Sequence, residues 1–176
     1  MPPKISWRLA RILPIVAVTI GCGAYALLPA GSPPTERPDR ILVVKSRHEM
    51  SLLQGGRILK TYAVSLGRSP SGPKTRTGDH KTPEGLYLVD WRNPNSKFHL
   101  SLHISYPEPR DSARARQEGV APGGDIMIHG LPNRLWWIGR FHRFVDWTDG
   151  CIAVTDSEID QLWRTVPDRT PIEIRP

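Results

Sequence analysis

Cys151 stands in Thr148-Asp149-Gly150-Cys151, at the head of a short apolar run, and is the strongest candidate nucleophile of the chain. A cysteine attacks as its thiolate, so it needs a base to take the proton and donors for the oxyanion that then develops. Gly150 lets the backbone come close to a substrate, which makes the neighbouring amides candidate oxyanion donors. The candidate base is His129, in Ile128-His129-Gly130 at the end of another apolar stretch. Two neighbouring strands joined by the 131–147 connection would bring imidazole and thiol within reach. All six histidines (48, 80, 99, 103, 129 and 142) precede Cys151, so any such base lies upstream of the nucleophile. The residues alone leave a second reading open, in which Cys151 is a buried and inert thiol.

Further polar and aromatic groups lie between the two. His142 is a second imidazole close to the pair in sequence, either holding substrate or solvated in its loop. Asp146 and Asp149 either orient an imidazole or close the turn. Trp136, Trp137 and Trp147 either pack into the core or wall a substrate's apolar parts. Arg134, Arg140 and Arg143 either bind a substrate carboxylate or are surface arginines of a loop. No metal site is expected. His99 and His103 share a strand face but are separated by about 13 Å at strand rise, and the chain has no paired-cysteine or helical histidine motif.

The elements that must position these residues are mostly strands. The 176 residues hold 15 glycines and 18 prolines, a density of turn formers that favours a β-rich domain over a helical bundle. A 39% hydrophobic content excludes wholesale disorder, and two cysteines exclude a disulfide-stapled scaffold. Short apolar runs at 41–45, 49–53 and 57–66 flank Gly55-Gly56, which reads as a hairpin turn. Leu86–Trp91 reads as another strand. From Phe98 to Tyr106, apolar residues alternate with His99, Ser101, His103 and Ser105, as in a strand with one buried face. Further strands are expected at 125–129, 151–154 and 171–174. A polar helix is expected over 108–118, and a second where Thr155 and Glu158 form a capping-box pattern. The expected architecture is mainly β, an antiparallel sandwich or barrel-like sheet with one or two short helices.

The first thirty residues read differently. Lys4, Arg8 and Arg11 precede an uncharged run from Ile12 to Leu28, the pattern of an export signal or N-terminal membrane anchor. Residues 31–39 read as a Pro-rich linker, and 40–176 as the domain, placed outside the cytoplasm in the periplasm or cell envelope. The net charge of +7 would by itself suggest nucleic acid. Three of the 24 basic residues lie before the apolar run and none of the 17 acids does, so the rest carries +4. That modest remainder argues against nucleic acid as a partner. The partition also leaves Cys151 as the one cysteine of the domain.

His129-Gly130 followed by Thr148-Asp149-Gly150-Cys151-Ile152 resembles the H-G…[S/T]-H-G-C signature of L,D-transpeptidase (YkuD-type) catalytic domains. Thr82-Pro83-Glu84-Gly85-Leu86-Tyr87 resembles the T-P-x-G-x-Y strand entry of the same family. Together the resemblance covers roughly residues 40–175. It implies a mostly β domain whose cysteine attacks peptide bonds of peptidoglycan stem peptides, with no cofactor. Cys151 would be the nucleophile and form a thioester, His129 the base, and Gly130 the backbone group orienting it. The Gly150 and Cys151 amides would line the oxyanion site. His142, Asp149, Trp147 and Arg143 would contact substrate. Asp149 replaces the motif's second histidine and Ala153 an arginine, as in a smaller branch of the family. Some members of that branch resemble hydrolases that detach wall-linked proteins. The implied activity is therefore transfer to an amine, with hydrolysis, or a non-catalytic wall-binding module, as alternatives.

Overall fold

A computed structural model of the chain describes residues 35–176. The basic start, the apolar run 12–28 and the first part of the linker lie outside the described residues. Among the described residues no helix is long and apolar enough to cross a membrane.

The strands are β1 (Arg40–Val44), β2 (Glu49–Gln54), β3 (Arg57–Ala63), β4 (Gly85–Ser96), β5 (His99–Ile104), β6 (Met127–His129), β7 (Ile152–Ala153) and β8 (Pro171–Arg175). They form one sheet in the order β3-β2-β1-β8-β4-β5-β6-β7. The mainly β class stands. Most neighbours are antiparallel, but β1 runs parallel to β8 and β6 parallel to β7. Gly55 and Gly56 hold φ of +55° and +80°, the pair of positive angles that a two-residue hairpin between right-twisted strands requires. Beyond the end of β3, Ser65 bridges to Ala153 of β7 and Gly67 to Thr148, so the two edges of the sheet meet and it curls toward a barrel.

The inward positions follow the alternation of each strand. Ile41 and Val43 of β1, Leu102 and Ile104 of β5, and Ile172 and Ile174 of β8 join one core. Helix α1 (Pro109–Gln117) is closed by a capping box between Glu108 and Asp111. Helix α2 (Asp156–Thr165) is closed by one between Thr155 and Glu158, and it buries Ile159 and Leu162 in the core.

The start of the loop between β3 and β4 packs Val64 and Leu66 into the core, and its remainder is held by charge. Lys45 is buried and its Nζ donates to the carbonyls of Gly72 (2.7 Å) and Thr82 (3.0 Å) and to Glu84 Oε1 (2.8 Å). Burial lowers its pKa, and Glu84 opposes that shift. Lys74 Nζ donates to Asp79 Oδ1 at 2.8 Å. Burial alone would raise the Asp79 carboxyl. Lys74 and the amides of Arg76, Thr75 and Lys81 outweigh it and bring the group down to about 2.

Candidate active site

The parallel pairing of β6 with β7 sets Ile128 opposite Ile152 and His129 opposite Ala153. Ile128 and Ile152 both point into the core and are fully buried. Alternation then puts His129 and Cys151 together on the other face of these strands, as diagonal neighbours. Strand spacing and rise place such positions about 8 Å apart along the backbone, a span that a thiol and an imidazole can close.

His129 is 3% exposed, under the rings of Phe98 (centroids 4.4 Å apart) and Trp147 (5.6 Å). Its Nδ1 lies 2.7 Å from the Gly130 carbonyl oxygen, which can only accept. The ring proton therefore sits on Nδ1, and Nε2 is left as a lone-pair acceptor. Burial pushes this imidazole down to about 4, against the opposing hydrogen bond to Gly130. Cys151 is half-buried, with Sγ 3.7 Å from the Asp125 carbonyl oxygen, toward which its S–H donates. Burial raises the thiol pKa, while the Met127 amide works the other way. The two groups at rest are thus a neutral thiol and a neutral imidazole.

The glycines next to the two residues are tightly enclosed. A Cβ on Gly130 would stand 2.6 Å from Asp156 Oδ1 and 3.0 Å from the Phe98 carbonyl oxygen. Gly150 holds φ +128°, and a Cβ there would stand 2.6 Å from the Lys81 carbonyl oxygen. One expectation needs correction. The Gly150 amide donates to Thr148 Oγ1 at 3.1 Å, and that hydroxyl donates to the Cys151 carbonyl at 2.8 Å. The Gly150 amide is therefore spent inside the turn and is not offered to an oxyanion.

The residues expected at the substrate separate into three environments. Trp147 lies between the two buried imidazoles, its ring edge-on to His129 and to His142 (6.4 Å). His142 is not a solvated loop residue. It is 6% exposed, its Nδ1 is 3.1 Å from Ser65 Oγ and 3.4 Å from Trp147 Nε1, and its buried Nε2 has no hydrogen-bond partner among the described residues. Burial first, then the charges of Arg143 and His129, hold it near 3. Asp149 lies on the surface, where its Oδ1 accepts from Arg68 Nη2 and from His80 Nδ1 (2.8 Å). Arg68 chiefly, and His80 after it, keep this carboxyl below its ordinary range.

Arg143 is the second correction. Its side chain is 4% exposed and its Nη2 donates to both oxygens of Glu158 at 2.6 Å, under the first turn of α2. It ties the 131–147 connection to the helix, with its guanidinium closed off from solvent. Arg143→Met is expected to destabilise the fold by about 3–5 kcal/mol, because it strands a buried carboxylate. Urea unfolding measures this; unchanged stability with a raised KM would restore the substrate role.

Sequence reasoning passed over Arg68 and His80 as partners of Asp149. They come from the loop after β3, and nothing in their local pattern marks the contact. Asp146 does orient an imidazole, but that of His48 (2.9 Å), while its other oxygen accepts the Leu66 amide at 2.7 Å.

A family model described as the L,D-transpeptidase catalytic domain, YkuD, matches residues 38–174. The chain is 32% identical over 128 residues to the "Putative L,D-transpeptidase YafK" of Escherichia coli (strain K12), covering 71% of this chain and 42% of that protein. It is 26% identical over 149 residues to the "Putative L,D-transpeptidase YqjB" of Bacillus subtilis (strain 168), covering 83% and 76%. Among solved structures, the helical cell shape determining protein Pgp2 of Campylobacter jejuni superposes with a TM-score of 0.58 at 24% identity, over 76% of this chain and 46% of that one. Bd1075 of Bdellovibrio bacteriovorus gives 0.54 at 26% identity, over 84% and 52%. The chain therefore spans about half, or less, of the Escherichia coli relative and of these two solved chains.

Proposed function

The chain belongs to the L,D-transpeptidase catalytic domain family, and from that premise we propose that it is an exported cysteine acyltransferase acting on peptidoglycan stem peptides. The observation that supports this most is the β6–β7 register, which pairs His129 with Ala153 and so, by alternation, turns Cys151 just before β7 toward the same face. Cys151 Sγ attacks the carbonyl carbon of a stem-peptide bond as His129 Nε2 takes the thiol proton. The Cys151 amide donates to the oxyanion, alone at this turn because the Gly150 amide is engaged. Collapse expels the amine, which leaves with the proton from the imidazolium, and a Cys151 thioester remains. A D-centre amino group then attacks the thioester, giving its proton to His129, and the thiol is restored.

With Arg143 buried, Arg68, whose exposed guanidinium pairs with Asp149 two residues before Cys151, takes over the role of meeting a substrate carboxylate. Lys4, Arg8 and Arg11 before the apolar run support export and membrane attachment. Asp149 before Gly150-Cys151 supports membership of the family branch with that substitution, where water is the competing acceptor.

The test is to digest muropeptides with the purified chain and separate the products by LC–MS. New crosslinked or exchanged species that disappear with Cys151→Ala are expected. Trimmed products alone assign hydrolysis, and an unchanged profile with the wild-type chain contradicts an enzyme.

A further inference from the structure

Resting on the peptidoglycan reading above, we infer that a cleft on the far side of Gly130 is a subsite for the neutral amino-sugar strand that carries the stem peptides. The cleft has a volume of about 630 Å³ and is lined by Asn95, Ser96, His99, Asn133, Trp136 and Asp156, among others. That volume lies inside the usual range for small-molecule sites, roughly 300–1,000 Å³.

The chemistry of the lining selects the ligand class. Trp136 lines the cleft and is 67% exposed, which leaves its indole accessible to a ligand. An indole face is electron-rich and takes the C–H face of a pyranose ring. His99 is the one lining group able to become cationic, and its Nε2 is already held by Asp160 Oδ1 at 2.9 Å. The Asp156 carboxylate opposes anions, so a phosphate or carboxylate ligand is disfavoured. The side-chain amide of Asn95, the remaining N–H of Asn133 and the second oxygen of Asp156 suit hydroxyl and acetamido groups, which both donate and accept.

The cleft is pre-formed and joined to the reacting pair. Asn133 Oδ1 accepts the His99 amide at 2.7 Å, and its Nδ2 donates to the Ser96 carbonyl at 3.2 Å. These bonds lock the β4–β5 turn to the 131–147 connection. Asp156 Oδ1 accepts the Leu131 amide at 2.8 Å and touches the space a Gly130 Cβ would fill. Phe98, beside His99, stacks on His129. A sugar strand in the cleft would therefore lie one residue away from the base, with its peptide leading over Phe98 and Trp147 toward Cys151.

The test titrates the full-length chain carrying Cys151→Ala with a β-1,4-linked tetramer of N-acetylglucosamine by calorimetry. Saturable binding is expected, weakened at least about tenfold by Trp136→Ala and unaltered by Trp91→Ala, an exposed indole on β4. No binding, or equal binding with Trp136→Ala, overturns the inference. A second arm, with Cys151 present, compares kcat/KM for glycan-linked and free stem peptides. Trp136→Ala is expected to lower that ratio by a similar factor. Turnover of free stem peptides without tetramer binding sinks the cleft alone. Tetramer binding that depends on Trp136, without turnover of either substrate, sinks the catalytic reading and leaves the cleft standing.

Discussion

Replacing His129 by asparagine is expected to slow acylation of Cys151 by about 10²- to 10⁴-fold, the usual worth of a positioned general base. The loss is large because the thiol cannot compensate. Its pKa is raised by burial, its S–H donates to the Asp125 carbonyl, and at neutral pH almost none of it is thiolate. The pH profile carries the sharper signature. His129 must be unprotonated to accept the proton, and burial holds its pKa near 4 rather than 6.5. Activity should therefore persist below pH 6.5 and fall only as the pH approaches 4, with kcat/KM flat from there to the alkaline side. A stopped-flow acylation profile of the full chain measures this. An acid limb near 6.5, or a His129→Asn variant with wild-type rates, would contradict the neutral pair.

Gly150→Ala should remove activity by at least about a hundredfold, because small displacements of a nucleophile cost that much. An added Cβ would lie 2.6 Å from the Lys81 carbonyl oxygen and 3.1 Å from Ile126 Cδ1, and the φ of +128° is strained for alanine. The Ile126 methyl can give way, but the contact with the Lys81 backbone carbonyl cannot be relieved without a backbone shift beside the turn that carries Cys151. The accompanying loss of stability should be about 1–3 kcal/mol. Gly55→Ala is the matched control. It also sits at positive φ, but a Cβ there meets nothing within 4 Å, so it should cost stability while acylation stays at the wild-type rate. Wild-type rates in Gly150→Ala would show that the turn is not the positioning device.

How much of this was legible in the sequence depended on range. The alternation from Phe98 to Tyr106 is a local period of two, and β5 lies inside it, with Leu102 and Ile104 buried as the pattern requires. The Gly55-Gly56 hairpin and the Thr155–Glu158 capping box are equally local signals. The parallel β6–β7 pair is not local, since a long connection separates its strands, and only the juxtaposition of two short motifs suggested it. Arg143 shows the limit most clearly. A loop arginine among aromatic residues reads as a surface cation, because arginine is seldom buried without a partner, and its partner Glu158 is named only by the fold. Lys45 and Lys74 escaped notice for the same reason. The Gly150 amide was misassigned because its fate rests on where the Thr148 hydroxyl points, a contact two residues away with no sequence signature. Cys151, His129 and the two adjacent glycines could be singled out as candidates because a thiol nucleophile and its base constrain residue type as well as position.

The central claim is that Cys151 carries a covalent acyl intermediate. It is tested most directly by intact-mass spectrometry of the full chain after incubation with a carbapenem, with peptide mapping of the adduct. One acyl group per chain, mapped to Cys151 and absent from Cys151→Ala, is the predicted result. An adduct retained in Cys151→Ala, or none on the wild-type chain, would contradict it.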